Sequence, residues 1–312
     1  MAHRPKNALI AMREGLSPSC VALPRLKHSP WPTVLDHLAE RLPKVSRAEW
    51  TERMAAGTVV NELGQPLAPT APYAHGARVY YWRDLPHEDR IPFEAQVLFE
   101  DAHLVVADKP HFLPVTPGGR FVRETLLVRL KAQLGCADLS PLHRIDRETA
   151  GLVVLCKRPP ERNAYQRLFR DRQIHKCYQA VAAAPQAMDQ VLPFPLVRQS
   201  RIVEDEAQFF RMREAPGEAN SHTRIGLLEV KQTRALYELE PLSGKRHQLR
   251  VHMNALGLPI EGDQFYPMVQ RAPQELENFQ TPLQLLAKHL AFTDPVTGQA
   301  RHFESRLRLH WP

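Results

Sequence analysis

Four segments carry side chains whose types and spacing could do chemistry. In His143-Arg144-Ile145-Asp146-Arg147-Glu148-Thr149-Ala150-Gly151 an acidic residue, Asp146, stands between two arginines just before an apolar run. Flanking cations favour a charged carboxylate, and such a group suits nucleophilic or base chemistry beside a phosphate backbone. The same residues also describe an acid in a solvated surface turn. The second segment runs from Leu242 to His252. On a helix Arg246, Arg250 and Asn254 share one face, while Leu249, Met253 and Leu256 share another. Cations at a helix start, where backbone N–H groups point outward, make an anion site; a solvated basic face would look alike. The third, Lys176 to Ala180, puts Tyr178 at the start of a strand, a place where tyrosines commonly pack. The fourth, Asp108 to Gly119, contains Lys109 and ends in Gly118-Gly119, without the strand–GxGxxG–helix or GxxxxGK[ST] context of a nucleotide loop. His247 and His252 are five apart and do not share a helix face, and there is no HExxH, so no metal site is expected. The chain also lacks a serine nucleophile elbow, a paired catalytic Cys/His and a phosphotransfer motif. Asp146 is therefore the best candidate nucleophile.

These segments must be held by surrounding elements. Residues 1–30 are basic, contain prolines and show no periodicity, which reads as an extended tail or strap. In residues 31–90, Val34, Leu35, Leu38 and Leu42 recur at helical spacing. Ser46, with Glu49 three residues on, signals the N-cap and capping box of a second helix ending near Gly57. Strand character follows at 58–61 and 77–82, and residues 86–92 read as a linker to a larger domain over 91–312. That domain opens with a hairpin, 96–99 with 104–107. A helix is expected over 123–135, a buried strand over 152–156, a helix over 160–171 and a strand over 177–182. Paired strands should occupy 225–230 and 235–240. A helix over 246–256 and a hairpin of 285–292 with 300–304 complete the pattern. Few helices among many hairpins argue for an α+β fold with a mixed, largely antiparallel central sheet.

The chain has 312 residues and a net charge of +7. Basic against acidic residues number 5 to 1 over residues 1–30, 7 to 8 over 31–90 and 29 to 25 over 91–312. A modest excess fits a polyanionic partner without requiring one. The four cysteines are scattered with no CxxC pair, as expected of reduced thiols in a cytoplasmic protein. No segment reads as a signal peptide or a membrane span.

The order of the segments adds what none carries alone. Asp108-Lys109-Pro110, then the block around Asp146, then Lys176-x-Tyr178-x-Ala180, then Gly244-Lys-Arg-His-Gln-Leu-Arg-Val-His252, then Leu258-Pro-Ile-Glu-Gly-Asp263 with Tyr266-Pro267, resembles the RluA branch of RNA pseudouridine synthases over roughly residues 91–312. Ala150 stands where that branch often has Ser, and Lys245 where Arg is commoner. Residues 31–85 resemble an S4-type RNA-binding module through Ser46-Arg47 and Ala56-Gly57-Thr58-Val59-Val60-Asn61, with Glu62 in place of the usual Gly.

The resemblance implies isomerisation of uridine in structured RNA, ribosomal more than transfer RNA, by a monomer with no cofactor or metal. It implies Asp146 as the essential carboxylate, attacking the sugar or removing its C2′ proton. Arg250 would orient it, Tyr178 would pack on the uracil and could take the C5 proton, and Leu249 would line the pocket. Arg144 would fill the space left by the flipped nucleotide. His143, Lys109, Arg246 and, in the N-terminal module, Arg47 would contact RNA. The competing expectations are a non-catalytic RNA-binding protein on the same fold and a carboxylate-dependent hydrolase, which would need a second acid near Asp146.

Overall fold

The computed structural model describes residues 9–83, 85, 87–185, 192–270, 275 and 278–311. Residues 1–8 of the expected tail and residue 86 of the expected linker lie outside them. Two compact units emerge. The smaller comprises residues 1–88, 119–123 and 128–137, and the larger 89–118, 124–127 and 138–312.

The smaller unit is built on strand β1 (Ser19–Ala22), helices α1 (Val34–Arg41) and α2 (Arg47–Ala55), and strands β2 (Val59–Val60) and β3 (Arg78–Tyr81). Thr33 caps α1. Its hydroxyl accepts from the Asp36 N–H at 3.1 Å, and Asp36 accepts from the Thr33 N–H at 2.9 Å, a complete capping box. At α2 only half of the expected box forms. Ser46 accepts from the Glu49 N–H at 3.2 Å, while the Glu49 side chain pairs with Arg53 one turn on. Leu35, Leu38, Trp50 and Met54 meet Val59 and Val79 in one apolar cluster. Residues 19–22, expected in an extended tail, instead form an antiparallel edge strand on β3. Residues 119–123 and 128–137, expected in the larger domain, count with the smaller unit because Val122 and Val128 bury themselves with Leu16 and Trp82.

The larger unit holds β4 (Gln96–Glu100), β5 (Leu104–Lys109), β6 (Ser140–Pro141), β7 (Ala150–Cys156), β8 (His175–Ala183), β9 (Leu196–Glu204), β10 (Met212–Ala215), β11 (Ser221–Lys231), β12 (Arg234–Pro241), β13 (Leu285–Thr293) and β14 (Ala300–Glu304). Its helices are α4 (Arg162–Arg170), entered through a 3₁₀ turn, and α5 (Gln248–Ala255); a helix over Leu126–Leu134, α3 by chain order, starts in this unit and continues in the other. The main sheet runs β10-β9-β11-β12-β8-β13-β7-β5-β4, with β14 on β13 and β6 on β7. Every pairing is antiparallel except β13 with β7. The fold is α+β, as expected.

Two features of this sheet position the site. Gly151 opens β7 at φ 108°, and a Cβ there would lie 2.3 Å from the Ala287 carbonyl oxygen, so only glycine allows β7 and β13 to approach. That crossing fixes where the loop before β7, with Asp146, emerges. Helix α5 is buried on two sides. Leu249 and Met253 join Ala180, Tyr237, Leu239 and Leu258, while Val251 packs with Ile202, Met212, Phe265 and Tyr266. Each such side chain contributes on the order of 1.5–3 kcal/mol, which holds α5, and Arg250 on it, against the sheet.

Candidate active site

Asp146 lies in the turn 143–149, its carbonyl accepting from the Thr149 N–H at 3.2 Å. Its side chain is a quarter exposed and faces a cavity of about 1170 Å³. Arg250, 1% exposed, reaches it from the first turn of α5 at 3.4 Å, Nη1 to Oδ2. The rest of that guanidinium is fixed by Asp263, with Nε to Oδ2 at 2.8 Å and Nη2 to Oδ1 at 2.7 Å. Asp263 is itself held by the backbone N–H groups of Phe265 and Tyr266 at 2.9 and 3.2 Å. Glu148 approaches the same Nη1 at 3.6 Å and pairs with Arg147 at 2.8 Å. Burial opposes the charge on Arg250, but Asp263, Glu148 and Asp146 outweigh it and raise its pKa. Burial alone would push Glu148 up; the charges of Arg147 and Arg250 instead hold it down at about 2. The flanking arginines thus serve differently from what their spacing suggested. Arg147 is spent on Glu148, Arg144 is exposed without a partner among the described residues, and the cation on Asp146 comes from Arg250.

Tyr178 enters the cavity from β8, in register with Leu239 of β12 and Ala287 of β13. Burial, then the charge of Asp146, raises the pKa of its phenol, so it stays protonated. Taking a C5 proton would require it first to release its own. Leu249 forms part of the wall. His143 and Arg144 also line the cavity. The His143 ring stacks on Phe169 at 4.6 Å and accepts from the Val154 N–H at 3.1 Å, and burial lowers its pKa to about 3. It is a neutral strut of the turn.

Lys109 does not line the cavity. It is fully buried, and Nζ donates to the carbonyls of Pro110 and Arg147 at 2.9 and 3.0 Å. Its amine braces the Asp146 turn from beneath and is shielded from any RNA; burial lowers its pKa to about 7. Arg246 lines the cavity, but its terminal nitrogens donate to the carbonyls of Phe209 and Phe210. Arg47 belongs to the smaller unit, where it pairs with Asp36 at 2.6 Å. The helix expected from Arg246 begins at Gln248, because His247 is left-handed at φ 54°. The Gln248 side chain accepts from Ser243 Oγ at 2.7 Å and from the Lys245 N–H at 3.1 Å, fastening the preceding loop. The basic residues therefore precede the helix and do not crown its N-terminus.

Three members of the constellation were not singled out as partners from sequence: Glu148, His247 and Asp263. His247 lies 3.9 Å from Asp146 and hydrogen-bonds the Tyr266 hydroxyl through Nδ1 at 3.1 Å. Burial lowers its pKa, against the pull of Asp146. Glu148 and Asp263 both sit in the quoted blocks, but no local feature of the sequence marks either as a partner of Arg250. Glu148 also supplies the second acid that a hydrolase would need. Held at about 2, it is ionised and has no proton to give a leaving group, so the pair is not an acid/base couple. Among the described residues no cluster of His, Cys, Asp or Glu is arranged to hold a metal ion, and no helix is long and apolar enough to cross a membrane.

The RNA pseudouridylate synthase family profile matches residues 103–255, which contain Asp146, Tyr178 and Arg250. An uncharacterized RNA pseudouridine synthase of Synechocystis is 32% identical over 234 residues, spanning 75% of this chain and 79% of that protein. The chain belongs to the RNA pseudouridine synthases. The ribosomal large subunit pseudouridine synthase D of Neisseria meningitidis serogroup B is 28% identical over 286 residues, covering 86% of this synthase and 74% of its relative. The structure of human RNA pseudouridylate synthase domain containing 4 superposes with a TM-score of 0.52 at 28% identity, over 68% of this chain and 88% of that one. The synthase is of the RluA type and isomerises uridine in RNA.

Proposed function

We propose that this synthase acts on specific uridines of structured RNA, ribosomal in preference to transfer RNA, and that it works on a nucleotide flipped into the cavity with Asp146 as the essential carboxylate. The observation that carries this reading is Asp146 facing the cavity while buried Arg250 grips one of its oxygens. The reaction breaks the N1–C1′ bond, joins C5 to C1′, removes the C5 proton and leaves one on N1. No oxidant is consumed, and no water overall. A stacked base hides both reacting carbons, so flipping is a physical requirement. The cavity, about 1170 Å³, exceeds the roughly 300–1,000 Å³ of small-ligand pockets and has room for a nucleotide and its neighbours. Tyr178 and Leu249 supply the faces against which a uracil would rest. Arg144, two residues from Asp146 and without a partner among the described residues, would fill the vacated stack. The ribosomal preference draws on the name of the Neisseria relative and on the S4-like order of two helices and a short sheet in the smaller unit, where Arg47 would contact the RNA.

The test is pseudouridine mapping of total RNA from cells with and without the gene, complemented by wild type or Asp146→Asn. Sites present with wild type and absent with Asp146→Asn, at RNA affinity within a few-fold, are expected. Affinity should fall steeply with added salt, because phosphate contacts release counterions. Sites restored by Asp146→Asn, or sites only in transfer RNA, would overturn the corresponding part of the reading.

A further inference from the structure

Phe209 is the most exposed large apolar side chain among the described residues, at 79%. It stands in the loop between β9 and β10, and that loop is tied down. The Asp205 and Arg211 backbones bond across it at 3.2 Å, and Gln208 bonds to both, N–H to Asp205 at 3.1 Å and carbonyl from Arg211 at 2.7 Å. Arg246 clamps the carbonyls of Phe209 and Phe210 at 3.2 and 2.6 Å. Beneath the tip, Phe210 packs on Phe265 at 5.3 Å, and Arg211 lies over the Tyr266 ring at 4.9 Å while donating to the Pro267 carbonyl at 3.1 Å. Phe265 and Tyr266 in turn flank Arg250 at 5.1 and 5.5 Å. A continuous packed path joins the Phe209 loop to the guanidinium that holds Asp146. Phe209 itself touches one aromatic neighbour, Phe210, edge-on at 5.5 Å, and presents its ring to solvent.

A well-supported, exposed aromatic ring beside a cavity lined by cations is the arrangement that stacks an unpaired base. Arg246 lies in the cavity wall, with Lys245 beside it and Arg144 also on the lining. We propose that Phe209 is a stacking platform for an unpaired base of the RNA close to the target uridine. The proposal rests on the RNA-modifying role above and adds a contact outside the reacting centre. A protein partner would need a contiguous apolar patch of several hundred Å², whereas Phe209 projects as one ring, with Glu204, Asp205 and Glu206 on the incoming limb of its loop and Arg211 and the clamping Arg246 beneath it. Clamping by Arg246 also gives that arginine a positioning role, since its terminal nitrogens are engaged with carbonyls.

The probe is total RNA from cells lacking the gene, with initial rates of pseudouridine formation measured against RNA concentration. Phe209→Ala should raise KM on the order of tenfold, the effect of losing one base–aromatic stack, with kcat within about twofold. Phe209→Trp should keep KM within about twofold, and Phe209→Leu, equally apolar but without a π face, should behave like Phe209→Ala. The slope of log(kcat/KM) against log salt should be the same in all, because no phosphate contact is removed. An unchanged KM in Phe209→Ala, or Phe209→Leu matching Phe209→Trp, overturns the proposal while leaving the synthase reading intact. Absence of pseudouridine formation by wild type would overturn that reading and this proposal with it.

Discussion

Arg250→Lys keeps the charge and removes the fork. In the native site one guanidinium makes two short bonds to Asp263, at 2.7 and 2.8 Å, and one to Asp146 at 3.4 Å. A lysine ammonium is a single point on a shorter reach, and it can serve Asp263 or Asp146 but not both. Two of the three charge-assisted bonds are lost. At about 1.5–3 kcal/mol each, that is about 3–6 kcal/mol. For a unit of this size each kcal/mol lowers Tm by about 2–4 °C, so a fall of about 6–24 °C is expected by thermal unfolding. The catalytic loss has a separate origin. Without its partner the Asp146 carboxylate is free to turn, and a misplacement of about 1 Å costs on the order of 100-fold. Steady-state assays on RNA should therefore show kcat down about 100-fold with KM within about threefold, since Arg250 is buried away from the phosphates. Retention of kcat within about threefold, alongside the drop in Tm, would refute the argument that Arg250 sets the position of Asp146.

Arg144→Ala should leave Tm within about 1–2 °C, because the side chain has no partner to lose among the described residues, yet lower kcat/KM by tenfold or more if the side chain fills the vacated stack; an unchanged kcat/KM would remove that role. Acid should destabilise the larger unit. Burial lowers the pKa of His111 and His252 to about 4 and of His143 to about 3, from 6.5. The folded state keeps these rings neutral while the unfolded chain protonates them, so stability is complete above about pH 6.5 and declines as pH falls towards 4, by up to about 1.4 kcal/mol per pH unit for each histidine. Urea unfolding at about pH 7.5, 6 and 5 measures the slope, and a flat profile would contradict it. His37 is 2% exposed, with no hydrogen-bond partner for either ring nitrogen among the described residues, and is enclosed by Trp31 at 4.4 Å and Tyr73 at 5.6 Å. His37→Phe should stabilise the smaller unit by about 1–3 kcal/mol in chemical denaturation, the cost of the unsatisfied groups it removes; a loss would show that the imidazole is needed.

Elements with a clean apolar period were legible in the sequence. Val34 to Arg41, the β4–β5 hairpin, the buried run of β7 and the β13–β14 hairpin lie where the pattern places them. Strand β9 was not legible: in Leu196–Glu204 half the residues face solvent, and its arginines and glutamine interrupt any apolar run. Helix α5 starts later than its residue types suggest, because Gln248 and the left-handed His247 impose a tertiary solution that no local propensity encodes. The helix over Leu126–Leu134 likewise starts three residues late, where the Leu126 and Leu127 N–H groups find the Pro114 and Val115 carbonyls at 2.8 and 3.0 Å. In the site, the order of motifs foretold the company of Asp146, Tyr178 and Arg250. It did not foretell Asp263, since nothing local marks an aspartate destined to be fully buried under a guanidinium. Lys109 misled for the converse reason: a lysine beside a proline reads as exposed, and the fold places it under the Asp146 turn.

Strand β13 lies in the middle of the large sheet, between β8 and β7, yet it is made from residues 285–293, after all the other strands of the main path. During synthesis the block β4-β5-β7 and the block β8-β12-β11 can each form from residues that precede β13, but no strand of the main path joins them until β13 emerges and slots in. Such a late, long-range closure is entropically slow and leaves two sheet edges open in the meantime. The Asp146 turn is set by the β7–β13 crossing at Gly151, whereas Tyr178 rides on β8. The Asp146 turn and Tyr178 are therefore brought together across the sheet by a step that waits on a strand translated after both of them.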